Sequence, residues 1–385
     1  MKVLFLCHRQ HDVSIGGVAE FLHFLPLALN TLNIQSVVYT QSEQRSARLI
    51  ASPPLKNGVP CYSGPFLKPS WFVSKKKLLP VLQLCELERI DVVHAQGLYR
   101  SGFIAKQIKK YLNIPYIITS HSDILNTNSD RIKRTSVQKR CQDILKQANA
   151  VTHLTPLMAD ASHALLNTQD KSKIIHNGID LVSWNTHDNP SEENYLFAIG
   201  RLEPEKGFHI LLEAYAKLRA KGVKTSLVIA GEGSAEKALH TQALALGLNV
   251  VTTFNHSIPS ESVIFTGYIR GEIKNKLMRE SKMILFATQP QQWEEPFGIV
   301  QLEAMAAGKP LISSDIAATR YLQTYGLQVQ CVPADDVTAW TEQIAHLLNE
   351  KNLRKQFGTL NQKNAARFDW QIIAKEYAEV YNGVC

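Results

Sequence analysis

Short apolar runs alternate with stretches of helical spacing along this chain. Val3 to Leu6 is followed by a helical pattern from Phe21 to Leu32 and by a second run from Ser36 to Tyr39; further runs stand near Val92-Val93, Tyr116 to Thr119 and Val151 to Leu154. Apolar runs without alternation fit strands buried on both faces, and the helical stretches between them give the rhythm of a parallel sheet. After Asn177-Gly178-Ile179-Asp180 a polar stretch runs from Asn185 to Asn194, and the rhythm then restarts at Tyr195 to Ile199, Ser226 to Ala230, Val263 to Thr266, Met283 to Ala287 and Pro310 to Ser313. The expected fold is α/β, with two consecutive parallel-sheet domains over residues 1–187 and 188–369. Two such sheets are expected to place the carboxyl ends of their strands at a shared crevice, where ligands bind. The stretch from Ala51 to Pro80, rich in proline and carrying Tyr62, Phe66, Trp71 and Phe72, reads as a long working loop.

Composition narrows the class. A chain of 385 residues, 45% hydrophobic, suits two globular domains and excludes disorder. Its six cysteines (Cys7, Cys61, Cys85, Cys141, Cys331, Cys385) include no Cys-x-x-Cys pair and no zinc spacing, which fits a reducing, cytoplasmic setting. The amino-terminal apolar run is too short for a signal peptide before His8, Arg9, His11 and Asp12, and no later run reaches the roughly 18 residues of a membrane span. A net charge of +8 favours anionic partners: nucleotide phosphates, an acidic membrane surface or nucleic acid. Lys75-Lys76-Lys77 beside Trp71-Phe72, with Arg131, Lys133, Arg134, Lys139 and Arg140, suits peripheral contact with an anionic membrane surface, and equally a solvated helix face.

Candidate chemistry gathers on loops after the strands. Glu295 and Glu303 stand eight residues apart in Glu294-Glu295-Pro296-Phe297-Gly298-Ile299-Val300-Gln301-Leu302-Glu303. Pro296 fits the opening turn of a helix, which would put Glu295 on the preceding loop and Glu303 about two turns in. A carboxylate among Ile299, Leu302 and Met305 needs hydrogen-bond donors if buried, and ligand hydroxyls would serve; the plain alternative is a helix-dipole charge plus one snorkelling glutamate. Gly200-Arg201 through Lys206-Gly207 puts two cations on one strand-to-helix loop, suited to a diphosphate or simply exposed on a polar turn. Gly231-Glu232-Gly233 and Gly267-Tyr268 are further turns at the same sheet edge, Ile15-Gly16-Gly17-Val18 leads into the first helix, and His121 follows a strand of the first domain.

Together these segments resemble glycosyltransferase family 4, retaining nucleotide-sugar glycosyltransferases with the two-Rossmann-domain GT-B fold. The resemblance rests on Gly16-Gly17, Asp91-Val92-Val93-His94, His121, Asn177 to Asp180, Gly200 to Gly207, and the glutamates Glu295 and Glu303. It implies that Arg201 and Lys206 hold the donor diphosphate and stabilise the departing nucleotide, and that Glu303 accepts hydrogen bonds from the ribose. Glu295 and the backbone of Phe297-Gly298-Ile299 would hold the sugar hydroxyls, with His121 contacting the sugar and Gly16-Gly17 bordering phosphate and acceptor. Gly200, Gly231 and Gly233 would line the donor site, with Tyr268 beside the base. It further implies a helix over 370–385 packing back on the first domain.

The expected partners are a UDP- or GDP-linked sugar and a glycan or lipid-linked acceptor, as in lipopolysaccharide or surface-polysaccharide synthesis. No nucleic acid is expected, since the cations are dispersed and no nucleic-acid module is present. With no Asp-x-Asp in the chain, no metal and no cofactor is expected, and cationic side chains take up the leaving-group charge. The sequence departs from the family at Asp315 to Arg320, where a Gly-Gly turn before Pro-Glu is usual, and has Ser122 and then Asp123 after His121. An epimerase or hydrolase acting on a sugar nucleotide, and a basic polyanion-binding scaffold, remain open at this stage.

Overall fold

The computed structural model describes residues 1–8, 16–42, 48–70, 73–121, 134–184, 192–254, 257–291 and 294–385. Ile15, Trp71, Phe72, Ser122, Asp123, Arg131, Lys133 and positions 185–191 of the polar stretch lie outside these residues, as do Arg9, His11 and Asp12. The chain divides into two compact units, Met1–Gly178 with Phe368–Cys385, and Ile179–Arg367. The first unit thus ends at Gly178 rather than at residue 187, and Ile179 to Trp184 already belong to the second.

In the first unit the strands are β1 (Lys2–Leu6), β2 (Gln35–Ser42), β3 (Ile50–Ser52), β4 (Cys61–Pro65), β5 (Val92–Gln96), β6 (Tyr116–Ser120), β7 (Ala150–His153) and β8 (Ser172–Ile174). They form one sheet in the order β3-β4-β2-β1-β5-β6-β7-β8, parallel throughout except for the β3–β4 pair. Helices α1 (Gly17–Asn30), α2 (Lys75–Leu87), α3 (Arg100–Leu112), α4 (Thr135–Gln147) and α5 (Pro156–Leu165) connect them. Leu78, Val81, Phe103, Ile104, Ile108 and Ile144 of α2, α3 and α4 cover one face. Because both faces of the sheet are covered, the buried parts of β1 (Val3 to Leu6) and β6 (Tyr116 to Ile118) read as unbroken apolar runs.

The stretch from Ala51 to Pro80 is not one long loop. It holds the end of β3, all of β4 and the start of α2. Its prolines fall mostly between and at the ends of these elements, where no ladder bond is lost. Gly64 lets β4 lie against β2, since a Cβ there would stand 2.2 Å from the Tyr39 hydroxyl oxygen.

The second unit holds β9 (Tyr195–Ile199), β10 (Ser226–Ala230), β11 (Asn249–Val251), β12 (Ser262–Phe265), β13 (Met283–Phe286), β14 (Leu311–Ser314) and β15 (Val329–Val332), all parallel in the order β11-β12-β10-β9-β13-β14-β15. Its helices are α6 (Phe208–Ala220), α7 (Glu236–Ala245), α8 (Gly271–Glu280), α9 (Ile299–Ala306), α10 (Ala317–Gln323), α11 (Val337–Asn349) and α12 (Lys351–Ala365). The central strands are buried on both faces, with Leu196, Leu227, Ile229 and Leu285 packed under Leu211, Tyr215 and Trp340.

The last helix, α13 (Trp370–Val384), belongs to the first unit. Asp369 opens it by accepting from the Gln371 backbone N–H at 2.8 Å. Trp370, Ile373, Ala374, Tyr377 and Tyr381 join Phe21, Leu22 and Leu25 of α1 in one cluster. Gly178 admits Trp370, because a Cβ there would lie 2.4 Å from the indole. His94 is wholly buried beneath this helix, with Nδ1 2.8 Å from the Tyr381 hydroxyl and Nε2 2.6 Å from Thr119 Oγ1. Burial holds it well below the usual histidine range, so in the resemblance's Asp91 to His94 segment the ring is part of the core.

Candidate functional site

The expected site residues fall into two sets, one on each unit. On the first unit, Gly16 stands at the mouth of α1 with φ +96°, a conformation that L side chains rarely adopt, and Gly17 is the first residue of that helix. His121 follows β6 directly. Its Nε2 lies 2.7 Å from Gln96 Oε1, and its ring packs T-shaped against Phe21, on α1, with centroids 5.2 Å apart. Burial pushes its pKa down to about 4, so the ring is neutral at pH 7. Gln96, at the end of β5, is the orienting partner that the sequence did not single out.

On the second unit, β9, β10, β12, β13 and β14 end at one sheet edge, and the loops leaving them carry the other set. The three glycine turns are knit together: Gly200 N–H donates to Ala230 O at 3.1 Å, Leu202 N–H to Glu232 O at 2.8 Å, and Gly231 N–H to Gly267 O at 2.9 Å. The glycines have a nearer reason than ligand approach. A Cβ would stand 1.9 Å from Gly200 O at Gly231, 2.4 Å from Leu202 O at Gly233 and 2.0 Å from Ala287 O at Gly207. Gly200 itself has room for a side chain. Tyr268 is half exposed beyond the third turn, its N–H 3.4 Å from Glu232 Oε1.

The two expected cations differ in setting. Lys206 is mostly buried and its Nζ lies 2.6 Å from Glu295 Oε2, an ion pair that joins the loop after β9 to the loop before α9. Arg201 is 58% exposed and among the described residues has one loose side-chain contact, 3.4 Å to Glu205, which leaves most of its five donors for another partner. Gln289, buried after β13, holds the loop from behind through its backbone N–H to Glu205 O at 2.8 Å and its amide to Ala287 O and Ala334 O.

Helix α9 begins later than expected. Gly298, at φ +75°, is its N-cap and Ile299 its first residue, so Pro296 lies ahead of the helix and Glu303 sits one turn in, not two. The left-handed glycine turn sets the start, and Phe297 is buried just before it. The Glu303 side chain is 8% exposed, and its Oε1 accepts from Lys274 Nζ on α8. Lys274 was missed. Its signal in the sequence is a lysine next to the buried face of Asn275, Leu277 and Met278, in a helix that also carries Lys276 and Arg279. Burial raises Glu294, with Arg320 acting downward and Glu295 upward. At Asp315 to Arg320, where the family's usual turn is absent, Arg320 pairs with Asp315 at 2.6 Å and Thr319 shares a hydrogen bond with Ser313 at 2.8 Å. Among the described residues no group of His, Cys, Asp and Glu is placed to hold a metal.

The architecture is that of GT-B glycosyltransferases. HepE of Anabaena, solved in complex with UDP, matches with a TM-score of 0.77 at 19% identity, covering 99% of this chain and 100% of that one. The family model "Glycosyltransferase Family 4" matches residues 15–183 and "Glycosyl transferases group 1" matches residues 185–364. An uncharacterized glycosyltransferase of Methanocaldococcus jannaschii is 25% identical over 320 residues, 78% of this chain and 77% of the relative. The phosphatidyl-myo-inositol mannosyltransferase of Mycobacterium leprae is 31% identical over 182 residues, 47% of this chain and 44% of the relative. The chain belongs to glycosyltransferase family 4 and is a glycosyltransferase.

Proposed function

We propose that this enzyme moves a hexose from a UDP- or GDP-linked sugar to a glycan or lipid-linked acceptor, with retention and without a metal ion. The observation that carries the reading is the mostly buried Lys206–Glu295 pair together with the exposed Arg201 guanidinium, only loosely paired with Glu205, on loops that leave adjacent strands. Lys206 has donors to spare beyond Glu295, and Arg201 offers a planar fork that suits phosphate. As the glycosidic bond breaks, negative charge grows on the β-phosphate oxygen, and two fixed cations favour that state without reorganising. Glu295, oriented by Lys206, is assigned to a sugar hydroxyl, with the N–H groups of the Phe297-Gly298-Ile299 turn. Glu303 keeps Oε2 for the ribose while Lys274 occupies Oε1.

The remaining assignments rest on the family resemblance: Tyr268 beside the base, Gly16-Gly17 near phosphate and acceptor, and neutral His121 as a sugar contact. With no carboxylate assigned as nucleophile, the acceptor hydroxyl attacks from the face that the phosphate leaves, and a phosphate oxygen takes its proton. Contact with an anionic membrane surface is assigned to Lys75, Lys76 and Lys77, exposed in the first turn of α2. The test is the anomeric configuration of the product by NMR, with and without a chelator. An inverted product, or activity that a chelator abolishes and Mg²⁺ restores, would contradict the reading. Release of free sugar with no transfer to any acceptor would indicate a hydrolase.

A further inference from the structure

The amino edge of the second sheet carries a second polar site. A hollow of about 430 Å³ opens there, lined by Arg279, Lys309, Lys351, Arg354 and Lys355, with Trp184 and a single acidic residue, Glu192, among the described lining residues. Lys309 stands two residues before the start of β14, whereas the candidate donor loops follow the carboxyl ends of the strands. The two places are separated by about one strand length, roughly 15 Å. Helix α9 runs between them, with Gly298 at one end and Ala307-Gly308 at the other.

The cations of this hollow are unequally matched. Arg354 is spent on the protein itself: it bonds Glu192 at 2.6 and 3.3 Å and the carbonyls of Leu347 and Leu348 at 2.6 and 2.8 Å. Lys282 also approaches Glu192, at 3.8 Å, so that carboxylate is shared between two cations. Arg279 is paired with Glu272. Among the described residues, Lys309, Lys351 and Lys355 have no carboxylate within ion-pair distance. Lys351 and Lys355 stand in the first two turns of α12, whose N-cap Glu350 makes no side-chain cap bond and whose first turn holds no acidic residue. Cations there oppose the positive end of the helix dipole, a cost that Glu350 offsets in part and a bound anion would offset further. Gly358 brings the helix onto this wall, since a Cβ would stand 2.1 Å from Gly308 O.

We propose that this hollow is an anion site, distinct from the donor site, that binds a phosphate group held by Lys309, Lys351 and Lys355. The phosphate is that of a small soluble ester or of an acidic phospholipid headgroup. Burial lowers Lys309 to about 8; Glu192 and Glu280 act upward on it, and Arg354 acts downward. A bound phosphate favours the ammonium form, so binding takes up a proton around pH 8 and weakens as pH rises further.

The test uses the full chain and inorganic pyrophosphate, titrated by calorimetry at pH 8 in two buffers of different ionisation enthalpy, with UDP present to occupy the other phosphate site. Wild type should bind with proton uptake. Lys351→Gln/Lys355→Gln, at exposed positions, should weaken binding by about tenfold or more, and Lys309→Met should weaken it and abolish the uptake. Vesicles of phosphatidylcholine with and without phosphatidylglycerol separate the sources. Binding that requires phosphatidylglycerol and is lost in the same variants identifies a headgroup, and pyrophosphate binding alone identifies a soluble ester. Equal affinity in wild type and both variants, or no binding of either probe by wild type, overturns the proposal. The outcome does not depend on whether UDP binds at Arg201 and Lys206, because only the pocket variants are compared.

Discussion

Lys274→Met tests the least expected contact of the site. The Glu303 carboxylate is 8% exposed, and Lys274, itself 18% exposed, is its charge partner. Methionine keeps the length of the stem and removes the ammonium, leaving a carboxylate in a desolvated place. Breaking a buried pair in this way costs about 3–5 kcal/mol, and the lower end applies because the lysine still reaches water. Glu303→Gln in the same background removes the stranded charge while keeping the shape, so the double variant should lie within about 1 kcal/mol of wild type. With Glu303→Gln alone costing about 0–1 kcal/mol, the coupling in the cycle is about 2–3 kcal/mol in magnitude. With two units in the chain a single unfolding midpoint is not well defined, so the assay is native-state amide exchange read in α9. A coupling below about 0.5 kcal/mol, or a double variant as unstable as Lys274→Met, would refute the argument that Glu303 is held as a charge by this lysine.

Other consequences are simpler. Burial lowers His121, His153 and His176 to about 4, below their unfolded values. The unfolded chain therefore binds more protons between about pH 6.5 and pH 4, and stability falls as pH falls through that window, by up to about 1.4 kcal/mol per pH unit for each ring. Denaturation midpoints that do not change from pH 7 to pH 4.5 would contradict it. Gly231→Ala places a Cβ 1.9 Å from Gly200 O at φ +135° and should cost about 3 kcal/mol, whereas Gly222→Ala, at φ +82° with open space around it, should cost only about 1. Equal losses in melting temperature would show that the close approach of the two turns is unimportant.

What could be read from the sequence follows from how far each signal extends. Strands such as β1, β6, β9 and β10 were legible because both faces are buried, so their residues form unbroken apolar runs. The edge was not: β3 is three residues long, and β4 contains Gly64 and ends at Pro65, a pattern that also fits a loop. The start of α9 was misplaced because proline is a familiar first helical residue, while the left-handed turn at Gly298 leaves no mark beyond the glycine itself. Arg201, Lys206 and the glutamates stood out in the sequence because each sits on a short segment with its own composition. Their pairings were not legible, since Lys206 meets Glu295 and Lys274 meets Glu303 across 89 and 29 residues. Neither distance has any periodic signature in the chain. Ligand approach was the reason read from the sequence for the donor-side glycines; the structure adds another, since close packing between neighbouring turns requires Gly207, Gly231 and Gly233.

The central claim is that Arg201 and Lys206 hold a nucleoside diphosphate. Its most direct measurement is thermal stabilisation of wild type and of Arg201→Ala/Lys206→Ala by UDP, GDP and ADP. One nucleotide should raise the wild-type midpoint by about 5 °C at a hundredfold excess over its Kd, and the double variant, still folded, should show almost no shift. Equal stabilisation of both proteins, or no stabilisation of wild type by any of the three, would contradict the account.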